Sequence, residues 1–158
     1  MADQRLRLDD QVCFALYAAS RAVTSLYRPL LDALGLTYPQ YLVMLVLWEQ
    51  GSSQVKDLGA ALSLDSGTLS PLLKRLEKLG FVRRERRTDD ERSVSITLTD
   101  EGAALREKAV GLPDRIGDAM GLDAAAQAEL RATLRELTMS VNDYRIRVVE
   151  SATRPDAG

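Results

Sequence analysis

The stretch Leu64-Asp65-Ser66-Gly67-Thr68-Leu69-Ser70-Pro71-Leu72-Leu73-Lys74-Arg75-Leu76-Glu77-Lys78-Leu79-Gly80-Phe81-Val82-Arg83-Arg84-Glu85-Arg86 writes a helix, its stop and the start of a strand in one line. Leu69, Leu72, Leu73, Leu76 and Leu79 recur at helical spacing, and Gly80 closes the helix. Upstream, Val55, Leu58 and Leu62 space out the face of a shorter helix, which Ser63 to Ser66 breaks. Downstream, Phe81 to Arg86 and Ser93 to Thr99 have strand character and flank a polar turn, Arg87 to Arg92. From Gln54 to Thr99 the order is therefore helix, turn, helix, then two short strands around an arginine-rich turn. This is a winged helix-turn-helix pattern, which suits groove reading better than chemistry.

Charge agrees locally. Between Ser66 and Arg87 stand Lys74, Arg75, Lys78, Arg83, Arg84, Arg86 and Arg87 against Glu77 and Glu85, in a chain whose formal net charge is −2. A basic face on an acidic body concentrates phosphate affinity where a duplex would lie. A charge run alone is as often a solvated helix face; the order of elements tips the reading to double-stranded DNA.

Composition bounds the rest. At 158 residues with 46% apolar content, the chain is expected to form a single domain over 1–158 with a packed core. No apolar run approaches the ~18 residues that span a bilayer, and Met1 to Asp10 is too charged for a signal-peptide core, so no membrane partner and a cytoplasmic location are expected. With no histidine and one cysteine, a Cys/His metal set and His-dependent triads are excluded. No metal, no cofactor and no enzymatic activity are expected.

The remaining chain reads as helical, giving a mainly α protein with a small β-wing. A first helix is expected from about Asp10 to Leu34, ended by Gly35; a second from Tyr38 to Gln50, with Pro39 in its first turn and Gly51 after it. After Thr99, Leu105, Ala109, Leu112 and Ile116 predict a helix to about Met120 that Pro113 kinks. Asp123 can cap a last helix with the apolar face Leu130, Leu134, Leu137, Val141, Tyr144 and Val148. Residues 151–158 are expected to fray. The segments 10–34 and 100–150 would thus flank the reading head at 54–99 and bury their faces against a second copy. A homodimer also suits a helix-turn-helix reader, whose two half-sites lie roughly 34–36 Å apart.

On the second helix of the reading head, Ser66, Thr68, Ser70, Lys74 and Arg75 face away from the leucines. Hydroxyls and short side chains reach base edges or phosphates, while Lys74 and Arg75 suit the backbone. Pro71 leaves two starts open: near Thr68, where proline costs no hydrogen bond, or near Ser66 with a bend. In the turn, Arg86, Arg87 and Arg92 surround Asp89, Asp90 and Glu91. A wing arginine there can enter the minor groove, or Arg92 can simply shape the turn by ion pairing.

Cys13 is the second informative residue. Cys13, Tyr17, Ser20, Thr24 and Tyr27 are spaced 4, 3, 4 and 3 apart and share one helical stripe, with Val12, Leu16, Ala19, Val23, Leu26 and Leu30 beside it as the expected core side. A lone helical cysteine is commonly an inert small hydrophobe. Phenols donating to the sulfur would instead favour the reactive thiolate. Tyr27, however, lies about 21 Å along the same helix, so any contact with Cys13 must come from a partner subunit.

Cys13-Phe14-Ala15-Leu16-Tyr17-Ala18-Ala19-Ser20-Arg21, Thr37-Tyr38-Pro39-Gln40-Tyr41, the segment Leu64 to Arg75, and Asp89-Asp90-Glu91-Arg92-Ser93-Val94 together resemble the organic hydroperoxide resistance regulators of the MarR family. The resemblance runs from about Asp10 to Val149. It implies a homodimeric repressor on an inverted-repeat operator that leaves DNA when its reactive cysteine is oxidised. Cys13 matches that cysteine. Tyr27 and Tyr38 match tyrosines that hydrogen-bond the sulfur across the dimer, with Tyr17 a third nearby. Thr68, Ser70 and Arg75 fall on the groove-reading helix, and Arg92 at the wing tip. Many members carry a second cysteine; this chain has none, which implies the one-cysteine group, where a low-molecular-weight thiol or further oxidation holds the oxidised state. Two rivals are a MarR-type regulator released by a small aromatic ligand and a thiol peroxidase.

Overall fold

The computed structural model describes residues 6–86 and 94–153. A single turn of 3-10 helix at Leu8–Asp10 leads into α1 (Val12–Asp32), followed by α2 (Tyr38–Gln50), β1 (Ser52–Gln54), α3 (Val55–Leu62), α4 (Ser66–Lys78), β2 (Val82–Arg86), β3 (Val94–Leu98), α5 (Asp100–Ala109), α6 (Leu112–Met120) and α7 (Ala124–Thr153). The chain divides into two compact units, Met1–Ile116 and Gly117–Gly158.

In the first unit the sheet is antiparallel in the order β1-β3-β2 among the described residues. β3 is central: Ile96 pairs with Ser53 on one side and Arg84 on the other. The sequence reading gave two strands and missed β1. Ser52-Ser53-Gln54 carries no apolar alternation, and it pairs through its backbone with Thr97 to Ser95 while Ser53 is buried.

Leu31, Leu34 and Leu36 at the α1–α2 corner, Val43, Met44 and Leu47 of α2, Leu58 of α3, Leu69, Leu73 and Leu76 of α4, and Ile96 of β3 form one buried core. α2 is its centre, which is why its sequence is apolar on nearly every side. Its start is held by the Thr37 N–H donating to Gln40 Oε1 at 2.9 Å, with Pro39 in the first turn, where no intrahelical donor is needed.

The turn from α3 to α4 depends on a close approach. A Cβ on Gly59 would sit 2.9 Å from the Leu64 carbonyl oxygen, which accepts no such neighbour. The Leu64 N–H in turn donates to the Gly59 carbonyl at 2.9 Å, while Ser63 takes a left-handed φ of 53° at the end of α3. α4 starts at Ser66, the earlier of the two open starts. Pro71 therefore lies inside the helix, opposite the Gly67 carbonyl four residues back.

Two expectations are corrected in the helices around this head. The helix expected from Asp100 to Met120 is two helices, interrupted at Val110-Gly111. Pro113 has no N–H to donate to the Ala109 carbonyl, so α5 stops there and α6 restarts with Pro113 as its second residue, where the missing N–H costs nothing. The stripe Val12, Leu16, Ala19, Val23, Leu26, Leu30 is not the core side of the single chain. Val12 is 69% and Leu26 38% exposed, and only Leu31 of α1 is buried.

In the second unit, Asp123 Oδ1 accepts the Ala126 N–H at 2.8 Å and caps α7 as expected. Leu130, Leu134, Leu137, Val141, Tyr144 and Val148 of α7 are all exposed. Helix continues through Thr153, past the expected fraying point; 154–158 lie outside the described residues. No helix among the described residues is long and apolar enough to cross a membrane.

Candidate DNA-reading face and thiol site

α4 buries Leu69, Leu73 and Leu76 and leaves Ser66, Thr68, Ser70, Lys74 and Arg75 exposed together on its other side. Its first turn is fixed by Asp65, whose Oδ1 accepts the Thr68 N–H at 2.9 Å while Oδ2 accepts the Thr68 hydroxyl at 3.0 Å. The Thr68 backbone and hydroxyl donors hold the Asp65 carboxyl below its usual range. Behind the helix, Arg84 of β2 donates to the Ser70 carbonyl at 3.4 Å and pairs with Glu77 at 3.4 Å. Arg83 pairs with Glu85 at 2.6 Å. Part of the positive run is therefore spent on shaping the head, Arg84 by fastening the wing strand to α4. Arg86 ends β2 opposite Val94. Arg87 and Arg92, expected in the wing, lie outside the described residues.

Cys13 is the second residue of α1 and is exposed. One turn on, the Tyr17 hydroxyl accepts from Arg21 Nη1 at 3.0 Å, and the Arg21 guanidinium stands 5.5 Å from the Tyr17 ring centroid. Because α1 is helical throughout, Cys13, Tyr17, Ser20, Thr24 and Tyr27 do share a stripe. Tyr27 sits at the far end, where its ring lies 4.7 Å from Tyr38 and 5.7 Å from Tyr41. The structure thus brings Tyr27 and Tyr38 together and leaves Cys13 and Tyr17 at the other end of the helix.

Burial, reinforced by the neighbouring phenols Tyr38 and Tyr41, pushes the Tyr27 hydroxyl up to about 12. Burial raises Tyr38 as well. Both remain neutral hydrogen-bond donors at physiological pH. Beside Tyr38 opens a cavity of about 370 Å³ lined by Thr24, Ser25, Arg28, Leu31, Asp32, Leu36 and Thr37. No set of three acidic, cysteine or histidine side chains is grouped to hold a metal among the described residues.

Sequence reasoning did not single out Tyr41 or Trp48. Tyr41 is 1% exposed and carries the ring row on to Trp48 at 6.1 Å, whose indole N–H donates to the Gly102 carbonyl at 2.8 Å. The spacing of three between Tyr38 and Tyr41 was the available signal for one helix face.

The profile of the transcriptional regulator SarA/Rot family matches residues 25–109. The organic hydroperoxide resistance transcriptional regulator of Bacillus subtilis is 51% identical over 126 residues, 80% of this chain and 84% of that protein. The HTH-type transcriptional regulator TtmR of Methylorubrum extorquens is 50% identical over 145 residues, 92% of this chain and 73% of that protein. Among solved structures, AbfR of Staphylococcus epidermidis in its reduced, DNA-bound form superposes with a TM-score of 0.75 at 36% identity, covering 91% of this chain and 99% of that one. With these matches laid on a three-stranded wing, a capped reading helix and a lone helix-one cysteine, the chain belongs to the MarR/SarA family of winged helix-turn-helix transcriptional regulators, alongside the organic hydroperoxide resistance regulators.

Proposed function

We propose that the chain is a cytoplasmic homodimeric repressor that holds an inverted-repeat operator while Cys13 is reduced and releases it when an organic hydroperoxide oxidises that thiol. The observation that carries this reading is the geometry of α1. An exposed thiol stands at one end, two protonated phenols stand together at the other, and the apolar stripe between them is partly uncovered, with Val12 and Leu26 exposed. An antiparallel second copy would cover the stripe and set Cys13 of each chain against Tyr27 and Tyr38 of the other.

The Cys13 thiolate attacks the terminal oxygen of ROOH. The O–O bond breaks, the alkoxide takes a proton and leaves as ROH, and Cys13 becomes a sulfenic acid. A low-molecular-weight thiol then condenses with the sulfenic acid, giving a mixed disulfide and water. Tyr27 and Tyr38, with Tyr17 nearby, orient the peroxide and donate to the sulfur. The added bulk separates α1 from the partner's tyrosines and re-spaces the heads. On DNA, Ser66, Thr68 and Ser70 meet the groove, Lys74 and Arg75 meet phosphates, and Arg86, Arg87 and Arg92 serve from the wing. The reading head is 54–99, with 10–34 and 100–150 as the dimerising parts. The chain supplies no second thiol to restore Cys13, and steady-state peroxide consumption with an added thiol separates a sensor, which does not turn over, from a thiol peroxidase.

Gel shifts on the upstream region of its own gene test this. Cys13→Ser should bind like the reduced parent and stay bound under organic hydroperoxide plus a small thiol, whereas the parent should release and gain the mass of that thiol, reversibly with reductant. Release of Cys13→Ser by the hydroperoxide would place sensing elsewhere. The cavity beside Tyr38, lined by Arg28 and Asp32 and by the hydroxyls of Thr24, Ser25 and Thr37, supports a second reading: release by a small aromatic ligand. Release of fully reduced parent by such a compound would support it.

A further inference from the structure

The first turn of α4 contains a carboxylate that takes both hydrogen-bond donors of the residue that should look into the groove. Thr68 is exposed, three residues past the cap, and its N–H and its Oγ1–H both point at Asp65, at 2.9 Å and 3.0 Å. A threonine hydroxyl has one proton and two lone pairs. With the proton committed inward, only lone pairs and the γ-methyl remain to face outward. Asp65 cannot reverse the bond, because its carboxyl is held ionised below its usual range and an ionised carboxylate only accepts. Gly67 leaves the space: a Cβ there would press to 3.1 Å on Asp65 Oδ1.

We propose that Asp65 fixes Thr68 as an obligate hydrogen-bond acceptor, so that the base whose edge it meets in each half-site is selected for an exposed amino group, cytosine N4 or adenine N6, over guanine O6 or thymine O4. Asp65 is a positioning residue in this scheme; it sets the polarity of a neighbour rather than touching a base. The inference rests on the DNA-binding reading given above and adds the sign of one contact to it. The major groove distinguishes these bases by donor and acceptor pattern, so a residue restricted to accepting rejects the bases that present only acceptors there.

Asp65→Asn separates this from a plain capping role. Asparagine caps helices as well as aspartate, its oxygen keeping the Thr68 N–H. Its amide nitrogen, however, donates to Thr68 Oγ1 and turns the hydroxyl proton outward. The reduced full-length parent, Asp65→Asn and Thr68→Val are each used to select duplexes from a randomised library, and affinities are then measured on operators carrying each base at every column. Thr68→Val keeps the γ-methyl, so a thymine-methyl contact would survive in it while the acceptor would not. The expected result is one symmetric column that favours cytosine or adenine by about three- to tenfold in the parent. That column should turn toward guanine or thymine in Asp65→Asn and lose its preference in Thr68→Val. If Asp65→Asn changes overall affinity with every column's ranking intact, or Thr68→Val retains the parent's ranking, the proposal is overturned while DNA recognition stands. A parent that enriches no sequence overturns both.

Discussion

Gly102→Ala tests the junction of the reading head with α5. Gly102 is buried in the first turn of α5, under Phe81, and a Cβ added there would lie 2.9 Å from the Phe81 carbonyl carbon, 3.2 Å from its Cα, and far inside contact with its oxygen. Carbon atoms pack at about 3.5–4.0 Å, so the backbone at Phe81 or at α5 must move by more than half an ångström. Overpacking of this kind costs about 1–3 kcal/mol. Two hydrogen bonds move with the glycine: the Thr99 hydroxyl oxygen accepts the Gly102 N–H at 3.1 Å, and the Gly102 carbonyl accepts the Trp48 indole N–H at 2.8 Å. A lost cap and a lost part-buried bond each add about 1 kcal/mol, bringing the expected destabilisation to about 3–5 kcal/mol. At about 2–4 °C per kcal/mol, the midpoint should fall by roughly 10 °C. Urea unfolding followed by tryptophan emission reads it directly, because Trp48 is the single tryptophan and is itself a partner in the contact. Parent and variant must be compared at equal chain concentration if the chain dimerises. A variant within about 0.5 kcal/mol of the parent would refute the close-approach argument.

Three further outcomes follow from the site. Tyr27→Phe and Tyr38→Phe keep the rings in place and remove one donor each, so reduced DNA binding should persist while Cys13 oxidation slows; equal oxidation rates in stopped-flow measurements would remove the hydrogen-bonding role. Stability should be full below pH 10 and decline between pH 10 and about 12, because Tyr27 is held neutral in the folded chain after it would ionise in the unfolded one. Tyr27→Phe should flatten that decline, as chemical denaturation across the range would show. Arg92→Ala should weaken operator binding by roughly 1–3 kcal/mol and reduce its salt slope if the wing meets DNA; unchanged affinity would leave Arg92 as a turn-shaping residue.

The parts of the fold that bury a periodic apolar face were legible in the sequence. α2 was bounded to the residue by Pro39 and Gly51, and the leucines of α4 fall where the 3.6-residue period puts them. Asp123 announced α7. What escaped was held by backbone pairing or by the absence of an atom. β1 has no side-chain pattern because β3 recruits it through main-chain bonds, and Gly59 and Gly102 matter for what a Cβ would strike. The α5–α6 break shows a proline relocating a boundary instead of bending through it. For the site, residue types and spacing brought out Cys13, the tyrosine stripe and the exposed side of α4. The pairing of Tyr27 with Tyr38 and the inward-turned Thr68 hydroxyl needed coordinates, since each depends on a rotamer.

Helix α2 has a mechanical consequence of its own. It runs thirteen residues, about 20 Å, from Tyr38 beneath Tyr27 to Gln50, which Gly51 joins directly to the edge strand of the wing sheet. Buried residues line it from Gln40 to Leu47, so the surrounding close-packed core gives that middle stretch little room to flex and it moves as a rod. A rod held in this way carries a tilt at its phenol end over its whole length. A tilt of about 3° at Tyr38 displaces the far end by about 1 Å over that 20 Å length. A tilt imposed on α2 at the phenols would thereby reach the strand on which the wing is hung.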